Sequence, residues 1–104
     1  MAMGFVTANG QKAIYTNMYE MTLAFRGVAG ICMRCNEISE RGYLICVLGD
    51  YMCPECAEDW EKRAGKPHKQ DIPFMDAKYN EWKAEFERIG KWDEQGEVKT
   101  CQEH

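Results

Sequence analysis

Two Cys-x-x-Cys pairs, Cys32-Met-Arg-Cys35 and Cys53-Pro-Glu-Cys56, stand seventeen residues apart in a chain of 104. That spacing lies within the range in which two cysteine pairs share one zinc ion. A two-residue gap lets one tight turn aim both sulfurs at a single point, and two such turns complete a tetrahedron of thiolates. A small domain buries a limited share of its surface, so an ion that ties two turns together supplies order that apolar burial alone supplies poorly.

The residues around the pairs support this reading. Asn36 follows the first pair, where a left-handed residue turns backbone N–H groups toward sulfur, and Asn tolerates that conformation. An apolar run from Tyr43 to Leu48 reads as a strand, and Gly49-Asp50 as a two-residue hairpin loop that returns the chain through Tyr51-Met52 to Cys53. Pro54 suits the first turn of a helix, with Glu55, Glu58 and Asp59 near its positive end. Lys62 and Arg63 lie near the other end, and Gly65 is the expected stop. Knuckle, hairpin, knuckle, helix is the order of a treble clef. Four protein ligands leave no open position, so the ion would be structural; iron in four thiolates has the same geometry, and zinc is preferred.

Two other uses of the thiols compete with metal binding. Cys53-Pro-Glu-Cys56 at a helix start resembles a redox motif, because a helix N-terminus lowers a thiol pKa. A thioredoxin-like fold needs several strands after that motif, whereas the 48 residues after Cys56 read as helix and polar tail. Paired disulfides suit an oxidising compartment. No basic stretch with an apolar core opens the chain and no apolar run approaches the ~20 residues of a membrane span, so it reads as cytoplasmic. Cys46, inside the apolar run, reads as a small buried hydrophobe. Cys101 and His104, in the polar end, are left out of the ligand set.

Elsewhere the signals are of ordinary kinds. Asn9-Gly10 marks a hairpin within residues 5–15. Asn17-x-x-Glu20 is a capping-box pattern opening a short helix near 17–26, with Gly27 as its stop. After a basic connector containing Lys66 and His68, Met75, Tyr79, Trp82, Phe86 and Ile89 recur at steps of four and three, an apolar seam on a helix of about 74–89. The expected organisation is one domain over 1–104: an N-terminal segment 1–31, the zinc module 32–66, an amphipathic helix within 73–90 and a mobile tail 93–104.

Charge argues against a protein that grips phosphate everywhere. The formal net charge is −4, and residues 54–104 carry thirteen acidic against nine basic side chains. No histidine lies between Cys32 and Cys56, as a nuclease built on such a finger would need.

The stretch 32–66, with its four cysteines, a Gly at the hairpin tip and a helix opened by the second pair, resembles the four-cysteine finger of the DksA/TraR family. It is similar, with a spacing one residue shorter, to the N-terminal zinc domain of the ClpX unfoldase. Both resemblances imply a metal held by Cys32, Cys35, Cys53 and Cys56. The first implies binding to RNA polymerase through an acidic tip ahead of the finger, but residues 1–31 contain only Glu20 as an acid. The second implies dimerisation and adaptor recruitment, without the ATPase.

The expectation is therefore a small α+β protein, a zinc-stabilised treble clef with a further C-terminal helix, and not an enzyme. It would act as a regulator or inhibitor of the sort mobile elements carry, by binding an unidentified protein partner or a second copy of itself. The simplest packing sets the helical seam against the finger and the N-terminal segment with part of it left for contact, and contact residues would come from Tyr79, Trp82, Phe86, Lys62, Arg63 and Lys66. A nucleic-acid-binding finger is the alternative, and a thiol redox protein ranks third.

Overall fold

The computed structural model describes residues 1–25 and 30–93. Strands β1 (Met3–Val6), β2 (Lys12–Asn17), β3 (Arg41–Ile45) and β4 (Asp50–Met52) form one antiparallel sheet in sequence order. Helix α1 (Met18–Phe25) follows β2, α2 (Pro54–Ala64) follows β4, and a 3-10 turn at Lys69–Asp71 leads into α3 (Ile72–Arg88).

Asn9-Gly10 forms the first hairpin. Gly10 is left-handed at φ 90°, the N–H of Thr7 donates to the Gln11 carbonyl at 2.9 Å, and residues 8–10 make the connection. A three-residue loop with a left-handed glycine keeps the right-handed twist of the strands. The cap of α1 follows its pattern in part. Asn17 Oδ1 accepts from the Glu20 N–H at 2.8 Å, but the Glu20 carboxylate turns away from the cap. It is buried instead, where it accepts from the Thr16 hydroxyl and pairs with the amino group of Met1.

The second hairpin departs from expectation. β3 ends at Ile45, which pairs with Asp50, and the loop is the four residues 46–49 rather than Gly49-Asp50. The N–H groups of Leu48 and Gly49 both donate to the Ile45 carbonyl, and Gly49 closes the turn at φ 69°. The reason is Cys46, whose N–H donates to the Lys12 carbonyl: the chain stays with β2 for one residue after leaving β4. Cys46 is thus in a turn yet fully buried.

Side chains of the strands alternate between two cores, as the period of two requires. Ile14, Leu44, Cys46 and Tyr51 face α1 and α3, where Met21, Ala24, Met75, Tyr79, Trp82 and Phe86 meet them. Phe5, Ala13, Tyr15, Tyr43, Ile45 and Met52 face the other way, toward Ala57 and Trp60 of α2. A sheet covered on both faces explains why Tyr43–Leu48 reads as a continuous apolar run rather than an alternating one. The seam of α3 is therefore interior. Tyr79, Trp82 and Phe86 are 6%, 7% and 0% exposed, so these three do not present the contact surface expected of them.

The chain closes on itself at the β1 edge. Trp92 is buried beside Ala2, with Ala2 N–H donating to Lys91 and Asp93 N–H donating to Ala2. Asp93, the first residue of the expected tail, is held by this pairing; residues 94–104, with Cys101 and His104, lie outside the described residues, as does the expected helix stop Gly27. Among the described residues no helix is long and apolar enough to cross a membrane.

Candidate metal centre

Between α1 and β3 the chain makes a small hairpin of its own. Ile31 bridges Ile38, the N–H of Cys32 donates to the Glu37 carbonyl, and the N–H of Asn36 donates to the Cys32 carbonyl, each bond 2.9 Å. Asn36 is left-handed at φ 62°, the only such residue other than glycine among those described. Cys32 and Cys35 stand in the turn this produces. A 2.9 Å bond from the Met33 N–H to the Tyr51 carbonyl ties it to β4.

Cys53 follows β4 directly and is the N-cap of α2, with extended dihedrals of −65° and 160°. Its side chain makes no capping bond, which leaves the sulfur available, and Pro54 occupies the first turn where a missing N–H costs nothing. One turn later Cys56 comes round to the same side. Gly65 ends the helix at φ 65°, with Lys62 and Arg63 in the last turn.

The two turns converge. The ligand atoms of Cys32, Cys35, Cys53 and Cys56 all lie within 4.8 Å of one another. Cys35 Sγ and Cys53 Sγ are 4.0 Å apart, against an edge of ~3.8 Å for a tetrahedron with Zn–S near ~2.3 Å. Cys32 is buried, Cys53 and Cys56 are half-buried and Cys35 is exposed. The fold brings the four cysteines singled out in the sequence to one point, where they could hold a metal ion.

The polar surroundings suit a thiolate cage. Burial works to raise the Cys32 thiol, but hydrogen bonds from the backbone of Cys35, Cys53 and Arg34 outweigh it and bring the group down to about 6. Cys56 moves the other way, to about 12, held there by its hydrogen bond with Cys53 and by burial. Cys32 and Cys56 therefore do not ionise together unaided, and a cation that binds thiolate would have to displace the Cys56 proton. Sulfur donors without a carboxylate or imidazole select soft or borderline ions such as zinc or iron over magnesium or calcium.

The sequence did not reveal Arg34 as part of this site. Its side chain forms an ion pair with Asp59 of α2, and Nη1 donates to the Cys56 carbonyl at 3.4 Å. Asp59 is shared with Arg63 at 3.3 Å, the helical pair the four-residue spacing predicts. Nothing in a linear reading places Arg34 beside a residue 25 positions later. Cys46 stands apart from the cluster, its thiol pushed up to about 12 chiefly by burial. Lys62, Arg63 and Lys66 are exposed, with Lys62 paired to Glu58 at 3.5 Å.

No protein-family model matches this chain, nor does any curated protein or any solved structure. Its classification therefore rests on what the fold and the site show: it is a small α+β protein with four cysteines positioned to bind a metal ion.

Proposed function

We propose that this is a zinc-binding protein in which one ion, held by Cys32, Cys35, Cys53 and Cys56, structurally joins a knuckle to a helix in a treble-clef arrangement. The observation that carries the reading is the convergence of four sulfurs within 4.8 Å from two separate turns. Four ligands close the coordination sphere, so the metal serves architecture rather than catalysis. Elemental analysis of the intact protein tests this. One equivalent of zinc per chain supports it, one equivalent of iron keeps the site but changes the metal, and a folded protein without metal removes the reading.

The module serves a small regulator or inhibitor that acts through a protein partner, as the DksA/TraR-like and ClpX-like resemblances suggest. The support lies around the knuckle, where Ile31, Met33 and Ile38 are 43%, 42% and 72% exposed on a loop whose shape depends on the site. A nucleic-acid partner is disfavoured. Lys62 and Arg63 are engaged by Glu58 and Asp59 on their own helix, and the chain carries a net −4. Cross-linking in the native host with wild type and with Ile38→Asp tests the partner surface: a protein adduct lost in the variant supports it, and an unchanged adduct moves the contact elsewhere.

A further inference from the structure

The knuckle and α2 supply two sulfurs each, so metal affinity depends on how the two elements are held relative to each other. Arg34 stands between the cysteines of the first pair, and its side chain reaches the helix that carries the second. There it meets both Asp59 and the carbonyl of the ligand residue Cys56. We propose that Arg34, anchored by Asp59, is a positioning residue for the metal: it sets the knuckle against α2 and fixes a positive charge beside the thiolate cage. The inference rests on the metal reading above and adds to it the group that holds the ion in place.

Charge and contact geometry both support it. Four thiolates around a divalent ion leave an excess of two negative charges, and a guanidinium held at the cage offsets part of it. Arg34 Nη1 also contacts a side-chain carboxylate and a backbone carbonyl at once, and the planar guanidinium that carries it loses less freedom per hydrogen bond than a lysine ammonium on a flexible stem. As an isolated surface contact the pair would matter little, since Arg34 and Asp59 are 38% and 41% exposed. Its effect is expected in metal binding, where groups just outside the ligand shell change affinity by about 10–100-fold.

The test is zinc affinity, measured by competition with a chromophoric chelator, together with the absorption of the cobalt(II)-substituted protein. Arg34→Gln is expected to weaken zinc about tenfold while keeping the tetrahedral cobalt–thiolate band. Arg34→Lys should recover part of the loss. Asp59→Asn should weaken binding in the wild-type background and change nothing further in Arg34→Gln, because both act through one contact. Lys62→Gln, which removes a positive charge from the last turn of the same helix, should bind as wild type does. Arg34→Gln within twofold of wild type, or additive losses from Arg34→Gln and Asp59→Asn, would overturn the proposal. Loss of the tetrahedral band in Arg34→Gln would overturn it too, because Arg34 would then shape the cage itself. A wild-type protein that binds neither metal would remove the metal reading, an outcome the variants cannot mimic.

Discussion

Cys35 Sγ and Cys53 Sγ, one from each cysteine pair, stand 4.0 Å apart across the junction between the knuckle and α2. An ion at this junction would bond the knuckle to α2, elements that Arg34 also joins through Asp59 and the Cys56 carbonyl, while the Met33–Tyr51 hydrogen bond ties the knuckle to β4. Metal binding would thereby be coupled to local folding, since an ion's binding free energy is available only where the two turns meet.

Single substitutions separate ligands from bystanders. Cys53→Ser should lose most of the metal and loosen residues 30–40, read by elemental analysis and by hydrogen exchange of the Cys32 and Asn36 amides. Cys46→Ser should keep a full equivalent, because Cys46 belongs to the core between the sheet and α3. Equal metal loss in both would place the site wrongly.

Alkaline pH should destabilise the fold through Cys46. Its thiol is raised from 9.0 to about 12 by burial, so the folded protein keeps the proton that the unfolded chain releases above pH 9. The contribution of Cys46 should be level below pH 9 and fall by up to about 1.4 kcal/mol per unit between 9 and 12. Tyr51, raised from 10.0 to about 12 chiefly by burial, adds to the fall above pH 10. Urea melts at pH 8.0, 9.0 and 10.0 should show it, with a shallower slope in Cys46→Ala whatever that variant's absolute stability.

The α3 seam is a core and should behave as one. Phe86 is fully buried and stacks edge-on with Phe25 at 5.5 Å between centroids. Phe86→Ala should cost about 3–5 kcal/mol in denaturant melts. A loss under 1 kcal/mol accompanied by weaker self-association would mean that the seam serves an interface instead.

Gly4 is required by a neighbour rather than by its backbone. A Cβ there would lie 2.0 Å from Tyr79 Oη, with the buried ring just behind. Gly4→Ala should destabilise by about 1–3 kcal/mol, as overpacking does. The cost should shrink in a Tyr79→Leu background, where the crowded ring is gone. Equal costs in both backgrounds would refute the steric explanation.

What the sequence by itself determined was local. The cysteine spacing, Asn36, Pro54 and Gly65 act within a few residues, through turn geometry and helix-end chemistry, and the structure shows each in its expected place. The 4-3-4-3 step of Met75, Tyr79, Trp82, Phe86 and Ile89 made α3 legible for the same reason. Tertiary structure decided everything that joins distant segments. β1–β2 and β3–β4 pair into one sheet through β2 and β3, so the four-cysteine segment is built into half of a four-stranded sheet, whereas the linear pattern reads as a module beside a separate N-terminal segment. That pairing moves the hairpin turn to 46–49 by keeping Cys46 on Lys12, and it supplies the apolar sheet face that the aromatic seam covers. Arg34 meets Asp59 only because knuckle and helix converge. Strand pairing and ion pairing across long separations depend on where two surfaces come to rest, and one strand's apolar pattern fits several partners equally well.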